Sequence, residues 1–130
     1  MADYSAKRIS EMEAAFGGGF VKARAELGVT AFGFQVIQLP PDYSDYPEHD
    51  HAESGQEEVF VVLRGGGEIE VDGERLALNP DTMIRVGPQP KRKIWPGSEG
   101  MRVLALGGRP GKLYEAPEVT KLGAPDPGLG

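Results

Sequence analysis

The chain has 130 residues, no cysteine, and a formal net charge of −6. That length points to one domain, and the missing thiols exclude disulfides, thiolate metal sites and cysteine nucleophiles. The acidic balance argues against a nucleic-acid partner, because Lys91-Arg92-Lys93 is the one basic cluster. No apolar run approaches the roughly 20 residues of a membrane span, and Met1–Arg8 lacks the apolar core of a secretory leader. A cytoplasmic protein that does not touch membranes is therefore expected.

Residues 1–28 read as an N-terminal helix and a lead-in strand. Ser10 and Glu13 have capping-box spacing, with Ile9, Met12 and Phe16 on one helix face up to Gly17-Gly18-Gly19. Val21, Ala23, Ala25 and Leu27 then alternate with charged residues, which predicts a half-buried strand. A second strand is expected over 29–39, with Phe32, Phe34 and Val36 on one face, stopped by Pro40-Pro41. The stretch 40–56 is polar and rich in turn residues. Glu58–Leu63 is a β-prone run, and Gly65-Gly66-Gly67 reads as a turn. Glu68–Val71, Asp72-Gly73 and Glu74–Leu78 spell a hairpin. Short strands follow at Met83–Val86, Arg92–Trp95 and Met101–Leu106, with Pro96-Gly97 as a turn between the last two. Trp95 is read as packing at an interface or over the core. Residues 109–130 form a Gly- and Pro-rich tail whose end, from about 120, is expected to be disordered. Antiparallel strands at this spacing, without long helices, predict an all-β sandwich or closed barrel over 29–108.

The chemistry concentrates in Pro47–Glu58, which holds both histidines of the chain. Side chains at i and i+2 of an extended segment point the same way, so His49 and His51 face one side together. Gln56 and Glu58 share a parity with Phe60 and Val62. If the two segments pair, two imidazoles and a carboxylate converge, with Gln56 as an alternative ligand to Glu58. That donor set suits manganese, iron, nickel or zinc and leaves positions open for a small molecule. No nucleotide or organic cofactor is indicated, since the glycine run joins two strands and no Lys-Ser or Lys-Thr follows it.

The stretch His49–Gly65 resembles the first motif of the cupins: His-x-His, a spacer, Glu, six residues, then Gly. Glu57–Gly65 looks like the strand that follows the ligands in that family. The resemblance covers roughly 32–108. It implies a jelly-roll β-barrel, often dimeric, with a metal held by His49, His51 and Glu58. It implies either a metal-dependent enzyme of dioxygenase, isomerase or decarboxylase type, or a metal-free binding module or structural dimer. Two departures stand out. The spacer from His51 to Glu58 is longer than the family's usual three or four residues. The fourth ligand, a histidine expected near position 92, is replaced by Lys91-Arg92-Lys93.

Three readings of Arg92 stay open. It grips a carboxylate or phosphate of a ligand, it pairs with Glu58 or another acid and fills the metal space, or it belongs to a solvated strand end. Phe34 and Phe60 are read as interior lining that a ligand would meet.

Overall fold

A computed structural model describes residues 2–128; Met1 of the expected lead-in and the last two residues of the expected tail lie outside it. Seven strands make one sheet: β1 (Ala14–Ala15), β2 (Phe20–Val21), β3 (Gly33–Leu39), β4 (Glu57–Val71), β5 (Glu74–Leu78), β6 (Ile84–Val86) and β7 (Arg92–Gly108). They pair antiparallel in the order β1-β2-β3-β7-β4-β5, with β6 on the first part of β4. The expected jelly-roll barrel is corrected here. The pairing path has two free ends, at β1 and β5, and the sheet does not close. A two-residue strand at one end and a five-residue hairpin arm at the other offer no ladder to join them.

The sheet is nevertheless sharply bent. Arg92 pairs with Val71 at the far end of β4, yet its guanidinium reaches Glu58 at the near end. On a straight strand those two positions stand roughly 40 Å apart. The bend falls at two register shifts between β4 and β7, at Val62/Arg64 and Gly65/Gly67. It brings Phe60 and Val62 from one half of β4 into one core with Ile69 from the other, together with Ile37, Leu78, Ile94 and Val103. Of these, Phe60, Ile69, Leu78, Ile94 and Val103 are fully buried. Each such side chain is worth about 1.5–3 kcal/mol of transfer free energy.

Several local expectations change for one reason: close backbone packing in place of turns. Gly65-Gly66-Gly67 continues β4, and Pro96-Gly97 continues β7. A Cβ on Gly67 would stand 2.2 Å from the Trp95 carbonyl oxygen, and one on Gly65 2.1 Å from that of Gly100. The glycines let two backbones cross where side chains would hold them apart. The Asp72-Gly73 turn does form as expected, with both residues at positive φ (47° and 85°). Trp95 lies on the outer face. Arg75 and Lys93 stand 4.3 and 4.2 Å from its ring centroid, and its indole N–H donates to Glu70.

The N-terminal reading is corrected as well. Ile9–Glu11 is a single 3-10 turn without a side-chain cap, so the Ser10–Glu13 box does not form. Glu13 instead accepts from Lys22 Nζ at 2.6 Å and from the Gly123 N–H. The expected strand over 21–27 is mostly helix, α1 (Ala23–Leu27). Ala, Arg, Glu and Leu are strong helix formers. Gly28 closes the helix in the left-handed region, its N–H donating to Arg24 and Ala25. Ala23 of α1 and Val21 cover the outer face of β3 at Val36, with Phe34, Met12 and Ile9 around them. The tail packs back on this layer. Thr120 is buried, Lys121 O accepts from the buried Lys22, and Asp126 accepts from the Phe16 N–H.

Candidate metal centre and its pocket

Both histidines sit on an irregular segment that is pinned to the sheet by backbone bonds. His49 N–H donates to Arg92 O at 3.0 Å, and Arg92 N–H returns to His49 O at 2.8 Å. His51 N–H donates to Pro88 O at 2.9 Å. The two rings therefore arrive on the same side, with centroids 5.1 Å apart and planes near perpendicular. Glu58 comes from β4, between β6 at Val86 and β7 at Gly107. The donor atoms of His49, His51 and Glu58 lie within 4.8 Å of one another. The convergence expected from i, i+2 alternation is present.

The donor chemistry fits a divalent ion. His49 Nδ1 stands 3.0 Å from Pro47 O. A proton shared there leaves the Nε2 lone pair free for coordination, the usual outer-shell arrangement of a metal-binding imidazole. His51 Nε2 is buried without a hydrogen-bond partner, although Glu58 Oε1 is 3.1 Å away. Two imidazoles with free nitrogens and a carboxylate form the facial set that binds borderline divalent metals.

Arg92 supplies the unusual feature. It is the largest fully buried side chain, and its Nη1 donates to Glu58 Oε1 at 3.0 Å while Nη2 donates to Gly87 O. Of the readings left open by the sequence, the structure shows pairing with Glu58. Arg92 is sealed within the fold and does not border the cavity beside the histidines. Phe60 is likewise core, while Phe34 reaches the cavity wall. Gln56 lies over Gly107, its Nε2 2.4 Å from where a Cβ on that glycine would stand. Tyr46 is a residue the sequence reading missed. Its ring stands 5.8 Å from that of His49. Burial and the nearby Glu58 carboxylate push its phenol well above the ordinary 10, so it stays protonated across the neutral range.

The cavity has a volume of about 1590 Å³ and is open to solvent. His49, His51 and Glu58 line one part of it, and Ile37, Met101 and Ala105 of β3 and β7 line another. No helix among the described residues is long and apolar enough to cross a membrane.

Fold and donor cluster together define a bent β-sheet protein with a two-histidine, one-carboxylate centre. The chain belongs to the Cupin domain family, whose pattern matches residues 35–107. Three solved structures illustrate the likeness. A cupin protein from Bacteroides fragilis is 24% identical, with 90% of this chain and 93% of that one covered at a TM-score of 0.70. The plu4264 protein from Photorhabdus luminescens is 13% identical, with 85% and 90% covered at 0.64. The cupin domain of an XRE family transcriptional regulator from Enterobacter cloacae is 28% identical, with 64% and 86% covered at 0.53. No curated protein is detectably similar to the chain.

Proposed function

We propose that this cupin holds one divalent ion, of the manganese, iron, nickel or zinc class, on His49, His51 and Glu58, and takes a small molecule in the adjoining cavity. The observation that carries the reading is the approach of all three donor atoms to within 4.8 Å, with His51 Nε2 buried and unpartnered. When bound, the ion would supply Lewis acidity to an oxygen of the ligand. The chain's own residues do the rest: the Pro47 carbonyl sets the His49 tautomer, the Arg92 backbone fixes where that ring stands, and the Tyr46 phenol keeps a proton beside the cluster. An anionic ligand gripped by Arg92 is not supported, because that guanidinium is committed to Glu58 and Gly87. The test is calorimetric titration of chelator-stripped protein with manganese, nickel and zinc. About one ion per chain is expected, lost in His49→Ala. No uptake of any of them sinks the reading.

One observation favours a metal-free binding module as the second reading. The Arg92 cation already sits on Glu58 Oε1, and it repels a divalent ion placed there. Titration of Arg92→Met separates the two. If only that variant takes up metal, the arginine has replaced the ion in the native protein.

A further inference from the structure

We infer that Gln35 is a specificity-determining residue of the cavity, accepting a hydrogen bond from the O–H or N–H of a small neutral ligand with an apolar body. This rests on the reading above that the cavity takes a small molecule, and it adds the class. Gln35 is central in β3, opposite Ala105 of β7, and alternation puts it on the same face as Ile37 and Leu39. Gln35 is among the residues that line the cavity, it is 8% exposed, and its Oε1 is buried with no partner.

The contrast with Gln38, three residues on, is instructive. Gln38 Oε1 accepts from Arg102 Nε and Nη2 at 3.1 and 2.8 Å. Gln35 makes no side-chain hydrogen bond among the described residues, and its buried unpaired atom is the acceptor Oε1. A buried carbonyl left without a donor is costly, and a ligand donor removes that cost. A site built around such a group discriminates strongly against analogues that lack the matching hydrogen.

The rest of the wall narrows the class. Beside Gln35 the lining is apolar, from Ile37, Met101 and Ala105. Towards the opening it carries the acids Asp45, Asp50, Glu53, Glu99 and Glu115, against the cations Arg64 and Arg109. Arg109 is itself held by Leu113 O and stands 3.7 Å from Glu115. The mouth is thus negative, and an anion entering it is repelled. An apolar wall, an acceptor in want of a hydrogen, and an acidic mouth together select a neutral alcohol, phenol or amide.

The test uses chelator-treated wild type and Gln35→Met, titrated with benzyl alcohol, benzyl methyl ether and benzoate and followed by backbone amide NMR. Wild type is expected to bind the alcohol about tenfold more tightly than the ether, with benzoate weakest. Gln35→Met is expected to lose the preference for the alcohol while its melting temperature holds or rises, since an unpaired polar group has been removed. A purely structural role would lower the melting temperature and leave the alcohol-to-ether ratio unchanged. That result overturns the inference, as does a wild type that binds neither probe or prefers the ether or benzoate. Metal titration of the same two proteins is independent. Failure of wild type to take up metal counts against the metal reading alone, because the probes are compared without metal.

Discussion

Arg92 and Glu58 form an ion pair in which Nη1 and Oε1 stand 3.0 Å apart, and that same oxygen lies 3.1 Å from His51 Nε2. One carboxylate thus faces a permanent cation and the His51 imidazole at once. The pair is inside the protein: Arg92 has no exposed side-chain surface and Glu58 little. Breaking a buried pair from one side leaves an uncompensated charge, whereas replacing both partners together by apolar side chains of similar size is often neutral. Glu58→Gln, which strands the guanidinium, is expected to cost about 3 kcal/mol. Arg92→Met strands a carboxylate that keeps 12% exposure and lines the open cavity, where water can reach it, and is expected to cost less, about 2 kcal/mol. Denaturant melts of the two variants check this asymmetry. Equal losses would show that the pair is not the relevant unit.

Position 92 is also expected to set how strongly the His49–His51–Glu58 cluster takes up a metal. Arg92→His removes the cation and places a third imidazole where its backbone already touches His49. Metal affinity of this variant is expected to rise at least about tenfold over wild type, as removal of a like charge and addition of a donor both favour the ion. Calorimetry with nickel or zinc reads this directly. An unchanged affinity would mean that the arginine does not limit the site.

Gly67→Ala is expected to destabilise the protein by about 3 kcal/mol or more. Its Cβ would meet Trp95 O at 2.2 Å, Gly97 N at 2.8 Å and Pro96 Cα at 2.9 Å, all backbone atoms that cannot swing aside. Gly108→Ala is the control, since nothing lies within 4 Å of its added carbon. Thermal melts should show a large loss for the first and within about 0.5 kcal/mol of wild type for the second.

Acid should loosen the N-terminal layer first. The Lys22 ammonium and the Gly123 N–H hold the Glu13 carboxyl below its ordinary 4.5. Lys7 and the Glu13 N–H do the same for Glu26. Both groups have folded values below their unfolded ones. Their contribution is full above about pH 4.5 and is lost as the pH falls through the lowered values, because the unfolded chain takes up protons first. The melting temperature is expected to fall below about pH 4.5. A Glu13→Gln, Glu26→Gln double variant should start lower and show a shallower fall. An equally steep fall in that variant would place the acid sensitivity elsewhere.

Local rules were enough to read the donor set. Strand alternation placed His49 with His51 and put Glu58 on the face of Phe60 and Val62, and these relations need no knowledge of the remote chain. What was not legible depends on contacts between distant segments. The glycines at 65–67 and the Pro96-Gly97 pair are turn residues by local rule, and became strand because two long strands cross there. The helix at Ala23–Leu27 hid behind a perfect alternation of charged and apolar residues, and Gly28 was the overlooked signal, being the C-terminal cap that a helix needs. The closed barrel failed because closure depends on which edges meet, and alternation within a strand carries no such information. Tyr46 and Gln35 escaped notice because nothing local distinguishes a polar residue that will be buried from one that meets water.

The backbone bonds of His49 to Arg92 and of His51 to Pro88 have a consequence for the long spacer before Glu58. Both imidazoles are anchored before the exposed turn over 52–55 begins, and Glu58 is anchored by β4 after it ends. Extra residues in that turn lengthen a surface loop without moving any donor. The linear distance between the second histidine and the glutamate is therefore free to drift over evolutionary time, and spacing along the chain is a poorer guide to this centre than the two clasps that hold its histidines.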